Sequence, residues 1–254
     1  MATTQILLPG DAVSATQIPT SQKRKIGRGL RQDHDATTTG RDGNNNFTAT
    51  IGGLLEVDYR KKTASISTPD ARYIPKAGDL VIAQFRTSST DFFHMYINAH
   101  SPQAILPQLA FEGATKKTRP QLKPNDLVYA KVVSAQKNME IELSCVNPST
   151  GKAEPDGLGP LTGGGMVFDV SPGLAERLLK KQGVVALDEL GTKLPGGFEI
   201  AVGKNGKVWV ECPEAGVKGV CAVGRCLREV DEKELREKEQ RKLVNKIMGE
   251  LERG

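Results

Sequence analysis

The chain of 254 residues is poor in aromatics, at 5%, and holds one tryptophan. Its core must therefore rest on aliphatic side chains, and an exposed aromatic calls for an explanation. No apolar run approaches the ~20 residues a membrane-spanning helix needs, which excludes one. The opening "MATTQILLPGD" has no basic stretch before its short apolar run, so no secretory signal is expected. The four cysteines, Cys145, Cys212, Cys221 and Cys226, form no CxxC pair, and His34, His94 and His100 lie far from them. That spacing favours reduced, buried thiols of an intracellular protein over a zinc site, and no metal is expected. HExxH, GxSxG and P-loop motifs are also missing. Asp231, Glu232, Glu234 and Glu237 are crowded acids, but they interleave with lysine and arginine as a solvated helix face does. A two-metal nuclease needs convergent carboxylates, and none can be pointed to. Neither catalysis nor a cofactor is expected.

What the chain does have is glycine (27) and proline (14), which favour short strands and many turns. Its net charge is +5 and its pI about 9.0, compatible with a nucleic-acid partner but not diagnostic of one. Three segments follow from the pattern. Residues 1–75 carry short strand-like runs, with "TATIGGLLEVDY" and "TASISTP" reading as a hairpin turned at Arg60–Lys62. Between these runs and the opening lies a polar, glycine-rich insert at about 22–46, expected to be a mobile loop. Its basic cluster, Lys23, Arg24, Lys25, Arg28 and Arg31, suits RNA contact, docking on a partner, a localisation signal or a plain solvated loop.

Residues 76–147 alternate turns with β-rich runs: "DLVIAQFR", "FFHMYIN", "QAILPQL", "DLVYAKVVSA" and "MEIELSC". Five such strands suit a small closed barrel of the OB type. OB barrels stack single-stranded bases on surface aromatics beside a basic groove. Strand alternation puts Phe92 and His94 on one face and Phe93 and Met95 on the other. One face must fill the barrel, so only the other can meet RNA. The run "TKKTRP" places Lys116, Lys117 and Arg119 in the loop before the fourth strand, either against phosphates or as a solvated turn.

After an expected linker, "NPSTGKAEPDGLGPLTGGG", residues 148–254 turn to mixed α and β. "MVFDV" reads as a strand, and "SPGLAERLLKK" as a helix with Ser171 at its N-cap and Pro172 in its first turn. A second short helix, "VVALDEL", precedes the hairpin "GFEIAVGKNGKVWVEC". Beyond it "GVCAVGRCLREV" and "DEKELREKEQRKLVNKIMGELE" are helical, the latter with a Leu243, Val244, Ile247, Met248, Leu251 stripe. The GKNG at Gly203–Gly206 has the spacing of a KH-domain phosphate clamp, yet it joins two strands. A three-residue loop, Lys204–Asn205–Gly206, puts Ile200, Val202, Val208 and Val210 on one face, where a two-residue loop mixes apolar with polar. It also matches a type I turn with a left-handed glycine, so Asn205 and Gly206 read as turn geometry. Trp209 falls on the mostly polar face and is a candidate for packing against the neighbouring barrel.

"RYIPKAGDLVIAQF", "QLAFEGATKKTRPQLKPNDLVYAKV" and "FEIAVGKNGKVWVEC", in this order, resemble the S1–KH cap subunits of the RNA exosome, most closely the ribosomal-RNA-processing protein 40 type, also called exosome component 3. The resemblance covers nearly the whole chain and implies an N-terminal β domain, an S1 barrel and a KH-type α+β domain. It implies a non-catalytic subunit that binds single-stranded RNA and guides 3′ ends to the pore for 3′→5′ processing by separate hydrolytic nucleases. The expected partners are RNase PH-like ring subunits, anchored mainly through the N-terminal domain, and the other cap subunits, with no membrane. Nucleus, nucleolus and cytoplasm are the implied locations. In KH domains the clamp joins two helices, a context found here at Lys180, Lys181, Gln182 and Gly183. Related cap proteins have a GKKG-like loop there, and Lys180 stands at the first glycine, adding bulk where a backbone approach is needed. Lys180 and Lys181 remain candidates for phosphate attraction by charge. A free-standing S1–KH adaptor in ribosome maturation, or the related other S1–KH cap subunit, is the alternative.

Overall fold

The computed structural model describes residues 5–13, 25–32, 47–59, 63–68, 72–99, 101–136, 138–147, 150–180, 184–233 and 235–251. The chain forms two compact units, Met1–Ala71 and Arg72–Gly254.

The first unit holds β1 (Gln5–Leu7), β2 (Ala12–Val13), β3 (Lys25–Ile26), β4 (Leu30–Gln32), β5 (Phe47–Ala49), β6 (Gly53–Asp58) and β7 (Thr63–Ser67). They make two sheets, ordered β1-β6-β7-β3 and β2-β5-β4. The expected hairpin is β6 with β7, but the "TAT" that precedes it belongs to the other sheet. Part of the insert expected to be a mobile loop is strand: β3 pairs with β7, β4 pairs with β5, and Leu30 is buried beside Phe47 and Val13. Strands of two or three residues are too short to show alternation, so composition alone read as a loop. The remainder of the insert, with Lys23, Arg24 and the Lys25 side chain, lies outside the described residues.

The second unit begins with β8 (Leu80–Ser88), β9 (Phe92–Tyr96), β10 (Ala104–Pro107), β11 (Leu127–Ser134), β12 (Ile141–Ser144) and β13 (Gly159–Leu161). The order β12-β10-β9-β8-β11 closes through a β11–β12 pairing, giving the five-stranded barrel read from the sequence. Aliphatic residues fill it, with Phe85, Phe93 and Phe111 in edge-to-face contact. The stretch expected to be a linker contributes β13, which pairs Gly159–Leu161 with Leu127–Tyr129. This is possible because β11 is long: its second half meets β12, leaving an edge of the first half for β13. An edge pairing to a distant strand leaves no local pattern in a Gly-Pro-rich sequence.

There follow β14 (Met166–Asp169), α1 (Pro172–Leu179), α2 (Val185–Lys193), β15 (Glu199–Gly203), β16 (Lys207–Glu211), α3 (Gly216–Lys233) and α4 (Glu237–Leu251). The sheet β14-β16-β15 packs one face on the helices, where Val208 and Val210 meet Leu174, Leu190, Val223 and Leu227. Ser171 Oγ accepts from Leu174 N at 3.0 Å and caps α1. Asp231, expected on a solvated face, instead accepts from Ser171 N (2.6 Å) and Ser171 Oγ (2.5 Å). Its carboxylate fills the start of α1, where orphan N–H groups favour an anion. On α4, Leu243, Val244 and Ile247 are buried and Met248 and Leu251 pack at the margin.

Candidate nucleic-acid interface

Strand β9 carries the outward aromatics. Phe93 and Met95 point into the barrel, leaving Phe92 (38% exposed), half-buried His94 and half-buried Tyr96 on the outer face. The Arg86 guanidinium lies 5.0 Å from the centre of the Tyr96 ring. Same-face residues on a strand are ~7 Å apart, a spacing on which successive bases can stack.

Beside this strip is the long connection from β10 to β11. Thr115 and Thr118 tie its basic turn: Thr115 N donates to Thr118 Oγ1 at 2.9 Å, and Thr118 Oγ1 to Gly113 O at 3.2 Å. Lys116 and Lys117 project into solvent from that turn. Arg119 is half-buried and donates to Gln108 Oε1. The barrel therefore brings Phe92 and Arg119 to one end, and leaves Lys116 and Lys117 as solvated cations nearby in the chain.

Lys180 stands apart, at the C-cap of α1. It is exposed and pairs with Glu176 at 3.0 Å. Lys181, Gln182 and Gly183 lie outside the described residues.

The hairpin of β15 and β16 pairs Gly203 with Lys207 and Val202 with Val208, leaving Lys204–Asn205–Gly206 as the loop. Gly206 has φ +79°, the left-handed region that favours glycine. The loop tip is pressed against the barrel. Asn205, 5% exposed, donates from Nδ2 to Ile82 O and to Ile97 O, each at 2.9 Å, and its Oδ1 accepts from Ile82 N at 3.3 Å. β9 pairs with β8 only from Gln84 onward, so Ile82 has no strand on that side. The Asn205 amide takes the place of the missing strand.

Gly203 is needed for the same approach, since a Cβ there would lie 2.8 Å from Ile82 N. Lys204 N donates to Leu80 O at 2.8 Å, and its ammonium pairs with the buried Asp79 at 2.8 Å. Tyr129 donates its hydroxyl to Val202 O at 3.0 Å, and burial, then Asp156, pushes that phenol up to about 12. Trp209, with Ala201, is buried in the barrel's own apolar cluster. GKNG is thus an inter-domain lock, covered on the side where a phosphate would have to come. Reading Asn205 as turn geometry alone missed its side chain, because Ile82 and Ile97 are distant in sequence.

Residues 73–159 match the family model for the S1 domain of exosome complex component RRP40, and residues 165–216 match a KH domain model. Exosome complex component RRP40 of Drosophila melanogaster is 37% identical over 211 residues, 83% of this chain and 83% of its own. The chain belongs to the RRP40 family. RRP40 of Saccharomyces cerevisiae is also 37% identical, over 166 residues, covering 64% of this chain and 67% of that one. A crystal structure of a proposed exosome complex RNA-binding protein shares the fold, with TM-score 0.54 at 23% identity, over 72% of this chain and 98% of its own. In this RRP40-family chain the S1 match reaches the first residue of β13, in keeping with that strand's place on the barrel. The KH match ends as α3 begins, although α3 and α4 supply Val223, Leu227, Val244 and Ile247 to the domain core.

Proposed function

We propose that this RRP40-family chain is a non-catalytic, RNA-binding cap subunit of the RNA exosome that guides RNA 3′ ends toward the ring's pore. The observation that carries the RNA side is the open outer face of β9, with Phe92 and His94 beside a basic turn, on a barrel locked to its KH domain. A locked S1–KH pair is a rigid platform on which stacking and phosphate contact need little ordering on binding. Assembly is supported by the first unit. Ile6 and Leu54 face each other across β1 and β6 and are 72% and 41% exposed, while Leu7 and Leu55 fill the core. Leu8 extends this apolar face, the kind of surface that marks a protein partner. That partner is a ring subunit of the RNase PH-like type. The chain works where such complexes work, in nucleus, nucleolus and cytoplasm.

Affinity purification of tagged protein tests the reading. RNase PH-like subunits are expected to co-purify, and Ile6→Glu with Leu54→Glu to abolish their recovery. The purified chain alone is expected to bind single-stranded RNA weakly, with steep salt dependence, and to degrade none. Migration as a lone particle near 27.4 kDa in cell extract would overturn it in favour of an adaptor.

A further inference from the structure

Gln108 is 5% exposed, a buried polar side chain at the end of the barrel, and both ends of its carboxamide are hydrogen-bonded. Its backbone N donates to Asp91 O at 2.9 Å, its Nε2 donates to Ser89 O at 2.8 Å, and its Oε1 accepts from Arg119. Ser89 N in turn donates to Phe92 O at 2.8 Å, closing the turn that opens β9. Pro107, the preceding residue, faces Phe92 across the β9–β10 pairing. One carboxamide therefore joins the turn that aims Phe92 to the guanidinium of Arg119, two groups 27 positions apart in the numbering. Strand pairing and the turn already hold the Phe92 end, and Arg119 N donates to Thr115 O, so what the carboxamide adds is a fixed direction for the Arg119 guanidinium. A long arginine otherwise samples many rotamers, and ordering it at the moment of binding costs affinity.

We infer that Gln108 is a positioning residue that holds Arg119 beside Phe92, so that one nucleotide of single-stranded RNA is gripped at its base and its phosphate together. The inference rests on the proposed RNA-binding reading of this face. Phe92 supplies the exposed ring for stacking. Arg119 keeps donors beyond the one given to Gln108, which suits a bridging phosphate. A glutamate at position 108 would still accept from Arg119 but could not donate to Ser89 O, so the two halves of the bridge can be separated.

The test uses the full chain, a labelled single-stranded oligouridine, equilibrium binding and ultraviolet crosslinking mapped by residue. Gln108→Leu, close in size and without polar groups, is expected to weaken binding about tenfold, the loss of one oriented charged contact. It is also expected to reduce crosslinking at Phe92. In an Arg119→Ala background the same substitution is expected to change binding less than about twofold, as coupled neighbours require. The Gln108→Leu chain should remain fully folded at the binding temperature by its thermal midpoint, which separates positioning from mere stability. Gln108→Glu, which keeps the acceptor for Arg119 but loses the donor to Ser89 O, is expected to leave binding weakened, and full affinity in it overturns the bridge. Equal losses with and without Arg119, or wild-type affinity in Gln108→Leu, overturn the inference while leaving the reading intact. No crosslink at Phe92 or Arg119 in the unsubstituted chain overturns both.

Discussion

Strands β9 and β16 each send alternate residues to two faces, and in each one face fills the strand's own domain: Phe93 and Met95 the barrel, Val208 and Val210 the KH core. They differ at the second face. That of β9 carries an exposed Phe92 and a half-buried His94, whereas that of β16 carries Trp209, buried against the barrel. Both second faces hold an aromatic among polar neighbours. An aromatic on a mostly polar strand face is thus covered from within the chain in one case and left exposed in the other, and only the arrangement of domains tells the two apart.

The sharpest way to break that comparison is at Trp209. Trp209→Ala should cost about 3–5 kcal/mol, the usual range for emptying a buried large aromatic site, measured by chemical denaturation. It should also split one unfolding transition of the S1–KH unit into two. A single transition of unchanged midpoint would mean that the β16 face is as free as that of β9. Next is Asn205→Leu, which strands Ile82 N and the Ile82 and Ile97 carbonyls. A loss of about 2 kcal/mol is expected from these unmet groups. Lys204→Met leaves Asp79 without its ion pair but still accepting from Tyr73 and from Lys76 N, so about 1 kcal/mol is expected. Phe92→Ala is the counterpart on the open face. Stability should move by less than about 0.5 kcal/mol while RNA crosslinking at the barrel is lost.

Thiol labelling sharpens the contrast residue by residue. Burial pushes Cys145 in the barrel and Cys226 in the KH core up to about 12, while Cys221 is exposed. At pH 8 an alkylating reagent should modify Cys221 and spare Cys145, Cys226 and the likewise buried Cys212, read by peptide mass. Trp209→Ala should let Cys145 and Cys226 react at different rates, since the two domains then open separately. Because the Cys145 and Cys226 thiols titrate higher folded than the unfolded value of 9.0, their contribution to stability is complete below pH 9. It is lost as pH rises toward 12.

Much of the fold was legible in the chain. Alternation located the five barrel strands, and the separation of Ile200, Val202, Val208 and Val210 from their polar neighbours identified the hairpin register. Ser171 followed by Pro172 announced the start of α1. What escaped were short or edge elements, β3, β4 and β13, whose stability comes from a distant partner strand. The acid at Asp231 escaped for the same reason, its partner Ser171 being sixty positions away. At the candidate interface, alternation picked Phe92 and His94 out of β9, but nothing local marked Gln108 as the residue that joins Phe92 to Arg119.

By itself, then, the sequence determined which residues alternate, where helices begin, and which loop needs a left-handed glycine at Gly206, because steric and periodic constraints act within a few residues. The tertiary structure decided what covers each second face. It turned Asn205 from a turn residue into a substitute strand for Ile82, and buried Trp209 while leaving Phe92 open. Those outcomes depend on which unpaired backbone and apolar surfaces meet across the fold, and buried polar groups must find partners wherever the chain brings them.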